Sequence, residues 1–315
     1  MMANECHNLL RPPVVREGAG ISIVAPASSA QLERVEKGVA ALRMLGFEPA
    51  LGMNALHRGP LYFAGTPEQR LTDLHAAFTD VKTAAVMCLR GGYGSNYILD
   101  GLDMELIRKQ PKAFFAYSDL TGVQLRLLDE LGLPAFHGPM AAADFYLPDG
   151  VHMESFHAAI SGKPYGLGAT EGLRALKRGS ASGALYGGCL SILVSLLGTQ
   201  WEPHTEGKLL FIEDVGAKPY QVDRMLWQLR KAGKLEGVRG IVFGEMLECA
   251  SPGAADDLLD RAILNALDGF EGPIAIGLRS GHVSRQNVTL TFGVQAQLIV
   301  GEQTELHLLE AAVER

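Results

Sequence analysis

The segment Phe115-Ala116-Tyr117-Ser118-Asp119-Leu120-Thr121 sets a serine where an apolar strand passes directly into a helix. A turn that tight exposes a hydroxyl, and the helix N-terminus behind it offers free backbone N–H groups and a favourable dipole. Ser118 is therefore a candidate nucleophile, and the same N–H groups are suited to holding an oxyanion. The competing reading is helix capping, the commonest task of serine at such a position. Of the small residues in a Gly-x-Ser-x-Gly elbow only Ala116 is matched, because Leu120 stands where the second glycine would.

Ligands of open α/β sheets bind beyond the carboxyl ends of the strands, and two further groups follow strands here. The loop Arg90-Gly91-Gly92-Tyr93-Gly94 reads as a phosphate cradle, as a backbone donor approaching a reacting carbonyl, or as a plain glycine turn; neither Gly-x-Gly-x-x-Gly nor a Walker lysine favours phosphate. Glu213-Asp214 ends another buried run. A nucleophilic serine needs a base, and the base an orienting carboxylate, so a late histidine with a strand-end glutamate would complete a triad. His282, in Ser280-Gly281-His282-Val283-Ser284, is the best placed histidine. His7 and His57 fall in loops, His75 and His307 inside regular elements, and His137-Gly138-Pro139 follows another strand near the candidate site.

Nothing in the pattern calls for a metal or other cofactor. His152 and His157 are five apart rather than the four of a helical metal pair, and HExxH is absent. Cys6, Cys88, Cys189 and Cys249 form no CxxC pair and read as free, buried thiols of a reducing compartment.

The elements that must position these groups alternate in the manner of an α/β fold. Strands are expected at 21–25, near Phe47, and at 83–89 and 113–117. Helices are expected at 31–45, from Pro67, and at 119–131. Residues 161–180 read as a connection rich in Gly, Lys, Arg and Pro. Beyond them come strands at 182–186, 209–212 and 241–243, helices at 189–197, 220–231 and 256–267, and three short terminal strands at 288–292, 297–300 and 305–309. The expected fold is a doubly wound, flavodoxin- or amidotransferase-like N-terminal domain (1–160) carrying Ser118. A C-terminal α/β domain with terminal β-structure (181–315) carries Glu213 and His282.

With 315 residues, 47% of them hydrophobic and 20% charged, the chain has the composition of a globular two-domain protein. A net charge of -7 without a long basic run argues against nucleic acid as a partner. The N-terminus lacks a cationic start followed by an apolar run, and no uncharged apolar stretch reaches membrane-spanning length, so a cytoplasmic protein without membrane contact is expected.

Taken in order, the motifs resemble the LD-carboxypeptidase family of serine peptidases over nearly all of residues 20–310. They are Phe63-Ala64-Gly65 with Gln69-Arg70 and Asp73-Leu74, Arg90-Gly91-Gly92-Tyr93-Gly94, Tyr117-Ser118-Asp119-Leu120-Thr121 and His137-Gly138-Pro139. Then follow Gly187-Gly188 with Leu190, Gly198-Thr199, Glu213-Asp214 with Tyr220 and Asp223-Arg224, and Gly281-His282 with Asn287. The resemblance implies Ser118 as nucleophile, His282 as general base and later acid, and Glu213 as the orienting carboxylate. It also implies an oxyanion hole from the backbone N–H groups of Asp119 and the Gly91-Gly92 turn, and a homodimer. Arg90 and Arg285 are candidates for binding a substrate carboxylate, and Tyr93, Trp201 and Trp227 for stacking on a base. The chain departs from the family pattern at Ala116, Cys189 and Thr291-Phe292, which bears on substrate preference rather than on the triad.

Three functions are thereby expected in order. The first is hydrolysis of an L,D amide bond near the C-terminus of a small peptide such as a cell-wall tetrapeptide. The second applies the same chemistry to a peptidyl or aminoacyl nucleotide, as in the microcin C immunity branch. The third is a non-catalytic muropeptide-binding module.

Overall fold

A computed structural model describes residues 9–250 and 257–314. The readings of Cys6 and His7, and the first residue of the helix expected from 256, lie outside them.

Apolar runs buried on both faces build the first sheet, except at its exposed edge strand β2. Its parallel strands are β1 (Gly20–Val24), β2 (Glu48–Leu51), β3 (Thr83–Cys88), β4 (Ala113–Ala116) and β5 (Ala135–His137), in spatial order β2-β1-β3-β4-β5. This is the flavodoxin-type doubly wound order. All four residues of β4 are buried, as continuous apolar runs in a covered parallel sheet must be. Helix α1 (Leu32–Met44) buries Val35, Val39 and Leu42, one stripe at helical spacing. Helix α2 (Pro67–Thr79) starts at a capping box between Thr66 and Gln69. Helices α3 (Met104–Lys109), α4 (Thr121–Leu131) and α5 (Met153–Ser161) follow in this half.

The second sheet has eight strands. They are β6 (Tyr165–Leu167), β7 (Arg174–Lys177), β8 (Gly179–Cys189), β9 (Leu209–Glu213), β10 (Gly240–Gly244), β11 (Ile274–Leu278), β13 (Gln295–Val300) and β14 (Thr304–Leu308), in the order β6-β14-β13-β8-β9-β10-β11-β7. Strands β8 to β11 run parallel, with α6 (Leu190–Ser195), α7 (Pro219–Lys231) and α8 (Leu258–Ala266) between them.

Two placements differ from the sequence reading. Residues 161–180 carry β6 and β7, which close the two edges of the second sheet by antiparallel pairing. Strand β12 (Leu290–Phe292), read as terminal structure of the second half, instead joins the first sheet antiparallel to β5. All three pairings are made to strands distant in sequence, which local pattern does not encode.

The parallel strands present their carboxyl ends on one edge of each sheet. Gly91, Ser118 and Gly138 follow β3, β4 and β5 in the first sheet, while Glu213 ends β9 and Ser280-His282 follow β11 in the second.

Candidate active site

Strand β4 stops at Ala116, Tyr117 remains extended, and Ser118 turns into the left-handed region at φ +66° before a single 3-10 turn leads into α4. A non-glycine residue there is strained. Thr121 Oγ1 braces the turn by donating to the Ser118 carbonyl at 2.8 Å. The half-buried Ser118 hydroxyl makes no hydrogen bond among the described residues, so it does not cap the helix.

The glycine loop packs directly against this serine. A Cβ on Gly91 would lie 2.7 Å from Ser118 Cβ, 2.9 Å from its Oγ and 3.3 Å from Asp119 N, so only glycine lets the two turns meet. Ser28 holds the loop by donating its N–H to the Gly91 carbonyl (3.3 Å) and accepting the Tyr93 N–H (3.0 Å). The buried Asp119 carboxylate accepts the Ser95 N–H at 2.8 Å, tying the far end of the loop to the serine turn. Below it, Arg70 donates to the carbonyls of Pro26 and Gly94 at 2.9 and 2.7 Å.

Glu213 is fully buried at the end of β9, and its Oε2 lies 2.7 Å from His282 Nδ1 while also accepting the His282 backbone N–H at 3.1 Å. Gly281 permits that approach: it adopts φ +91°, and a Cβ on it would fall 2.6 Å from Glu213 Cδ. Burial alone would push the His282 imidazole down, but the Glu213 charge and its hydrogen bond outweigh burial and hold it above its ordinary value. Burial raises the Glu213 carboxyl in turn, and the same imidazole beside it more than compensates, keeping it ionised.

A buried chain of hydrogen bonds joins the serine turn to the histidine loop. Tyr117 OH donates to Asp144 Oδ1 (3.3 Å), and Asn287 Nδ2 donates to that oxygen (3.0 Å) and to the Gly281 carbonyl (3.1 Å). Asn287 Oδ1 accepts the Gly281 N–H at 3.0 Å. The Tyr117 ring meets the His282 imidazole edge-on, with centroids 5.3 Å apart. The neighbours of Ser118 and of Glu213-His282 are thus in contact, although no hydrogen bond joins Ser118 Oγ to His282 among the described residues. Catalytic hydrogen bonds are often loose before substrate binds.

Of the candidate substrate contacts, Arg285 lines a cleft of about 530 Å³ together with His282, Tyr117 and Asp144. Exposed Arg90 reaches the Ser29 carbonyl at 3.5 Å, and Tyr93 stands in an aromatic cluster with Tyr62, Phe63 and Tyr97 beside the glycine loop. Cys189, paired with Glu213 across β8 and β9, is buried, and burial keeps its thiol protonated. Among the described residues no cluster of three or more His, Cys, Asp or Glu side chains could hold a metal, and no helix is long and apolar enough to cross a membrane.

Sequence reasoning passed over Asp144. Its only signal is an acid inside the apolar run Ala141-Ala-Ala-Asp-Phe145, where burial pushes the carboxyl up to about 6.

Residues 21–138 match the model of the LD-carboxypeptidase N-terminal domain, and residues 182–298 that of the LD-carboxypeptidase C-terminal domain. A protein of Bacillus subtilis named probable murein peptide carboxypeptidase is 36% identical over 96% of this chain and 95% of its own. The solved structure of a muramoyltetrapeptide carboxypeptidase from Oxalobacter formigenes superposes with a TM-score of 0.81 at 27% identity, covering 94% of this chain and 100% of that one. A MccF-like protein from Bacillus anthracis superposes with a TM-score of 0.88 at 26% identity over 95% and 99% of the two chains.

Proposed function

Since the chain belongs to the LD-carboxypeptidase family, we propose that it is a serine carboxypeptidase hydrolysing the L,D amide bond near the C-terminus of a small peptide such as a cell-wall tetrapeptide. The observation that carries the mechanism is the 2.7 Å bond between buried Glu213 and His282, set edge-on to Tyr117, whose chain neighbour is the strained Ser118.

Ser118 Oγ attacks the scissile carbonyl as His282 Nε2 takes its proton, and Glu213 keeps the opposite ring nitrogen protonated and stabilises the imidazolium. The backbone N–H groups of Asp119 and of the Gly91-Gly92 turn receive the oxyanion, each such donor supplying about 2.7 to 4 kcal/mol of transition-state stabilisation. Collapse of the tetrahedral intermediate expels the terminal amine with the proton from His282. Water, activated by the same imidazole, then releases the acyl group. Arg285 in the cleft, or Arg90 beside the glycine loop, meets the substrate carboxylate. A cytoplasmic homodimer is part of the proposal, on the family resemblance alone.

The likeness to the MccF-like fold supports a second substrate, a peptidyl or aminoacyl nucleotide cleaved by the same residues. Incubating the protein with an LD-tetrapeptide and, separately, with a peptidyl-adenylate in the presence of chelator decides between them. Release of the terminal D-residue, undiminished by chelator, is the expected result. Turnover of the adenylate alone would install the second substrate, and turnover of neither would leave a binding module.

A further inference from the structure

A second histidine lies behind the carboxylate, and the mechanism above gives it no task. His137 ends β5 with its side chain fully buried, its ring packed against those of Phe211, Phe292 and Tyr117 at centroid distances of 5.1, 5.2 and 5.9 Å. A phenylalanine would fill that space, so packing does not explain an imidazole.

The hydrogen bonds settle which ring nitrogen carries the proton. Ser280 Oγ donates its single hydrogen to the Val288 carbonyl at 2.9 Å and lies 3.1 Å from His137 Nδ1, so Nδ1–H is the donor in that pair. Nε2 of the neutral ring is then an acceptor. It points at Glu213 Oε1, 4.0 Å away, and each of these buried atoms has no other hydrogen-bond partner among the described residues. The titratable groups facing His137 are Glu213, His282 and Tyr117. Burial pushes its imidazole down to about 4, which keeps the ring neutral at the pH where His282 acts as a base.

Two acceptors 4.0 Å apart are too far for a direct bond and correctly spaced for one water that donates a hydrogen to each. We propose that His137 is a positioning residue for the reaction: through one bridging water it holds Glu213 Oε1, so that Oε2 remains the oxygen bound to His282 Nδ1. With one oxygen held from each side the carboxylate does not rotate, and Nε2 of His282 stays directed toward the serine. This role rests on the proposed triad.

The test compares His137→Phe, which keeps the aromatic packing, with His137→Gln, whose terminal amide reaches the place of Nε2. Steady-state kinetics across pH on the LD-tetrapeptide should show kcat about 100-fold lower in the Phe variant with KM little changed, the scale of cost that a misplaced catalytic group carries. Its acidic limb should move to lower pH, because His282 loses part of the carboxylate's support. The Gln variant should recover most of kcat and the wild-type limb. Wild-type kcat and limb in the Phe variant would overturn the role, as would equal losses in both variants with an unmoved limb. Nitrogen-15 NMR of the unmodified protein gives a measurement independent of variant folding: the Nδ1–H tautomer of His137 is required, and a neutral ring protonated on Nε2 would contradict the proposal. Glu213→Gln separates the two levels. Full activity there removes the triad itself, whereas an inactive Glu213→Gln beside an active His137→Phe removes only the role of His137.

Discussion

Ser118 holds a left-handed backbone that costs an L-residue about 1 to 2 kcal/mol, and no side-chain hydrogen bond of its own among the described residues repays that cost. Replacing it by glycine should therefore abolish turnover while raising stability by about 1 kcal/mol in urea denaturation; Ser118→Ala should abolish turnover without that gain. A Ser118→Gly variant less stable than wild type would show that the turn is not strained. The carboxylate makes a separate prediction through pH. As the proposed base, His282 must be neutral to accept the serine proton, and Glu213 holds its pKa above the ordinary value, so kcat/KM should fall as pH drops through that raised pKa. Glu213→Gln removes the raising charge, which should shift the acidic limb to lower pH while kcat falls by about 10⁴-fold, the loss known for neutralising a triad carboxylate. An unmoved limb would mean that another group titrates. The strained turn at Ser118 and the Glu213–His282 pair were legible because Ser118 and His282 follow strands, Glu213 ends one, and serine, carboxylate and imidazole form one chemical set. Asp144 and the partnering of His137 were not, since a lone acid among alanines and a strand-end histidine look the same whether they hold a catalytic loop or only fill a core.

The loop between β11 and β12 carries His282 and is held from within by Asn287, whose fully buried amide bonds both polar groups of Gly281 and the Asp144 carboxylate. Truncation to Asn287→Ala leaves the buried N–H and carbonyl of Gly281 unpaired, at about 1 to 3 kcal/mol each where water does not enter, while Asp144 keeps its bond from Tyr117. Denaturant melts should show a loss of about 2 to 6 kcal/mol for the two groups together, and kcat should fall with KM little altered as the imidazole loosens. Unchanged stability would make Asn287 a bystander. The strands that lead to the candidate site were readable from their apolar runs, and the pairing of β9 with β8 on one side and β10 on the other follows the parallel logic of alternating strands and helices. The placement of β12 was not readable. Three residues, Leu290-Thr-Phe292, carry too short a pattern to choose a sheet, and their burial beside β5 depends on where Asn287 and Ser280 anchor the preceding loop. For the same reason β6 and β7 were hidden in a stretch whose Gly, Lys and Pro content suits a connection equally well.

Across the whole molecule Ser118, the proposed nucleophile, stands at the end of a strand of one sheet and the Glu213–His282 pair at strand ends of the other, and β12 laces the two halves together by crossing into the first sheet. Acid should weaken this arrangement through His137. Its imidazole titrates near 6.5 when unfolded and about 4 in the folded state, so between those values the unfolded chain binds more protons and stability falls as pH falls. At 1.36 kcal/mol per pH unit the full loss is about 3 kcal/mol. His137→Phe lacks this titration, so its stability relative to wild type should improve between pH 6.5 and 4.5; a constant difference would show that His137 is not held neutral. Burial raises Asp144 to about 6 in both proteins, and its opposing contribution cancels in the comparison. The central claim is that Ser118, served by His282 and Glu213 across the sheet boundary, forms an acyl-enzyme with a peptide ending in a D-residue. Mass spectrometry of wild-type and Ser118→Ala protein, acid-quenched within the first turnovers of an LD-tetrapeptide, tests it most directly. Wild-type protein should carry the tripeptidyl mass on the fragment containing Ser118 as the terminal D-residue appears in solution, and the alanine variant should show neither. Equal release of the D-residue by both proteins, or an adduct on any other residue, would contradict the account.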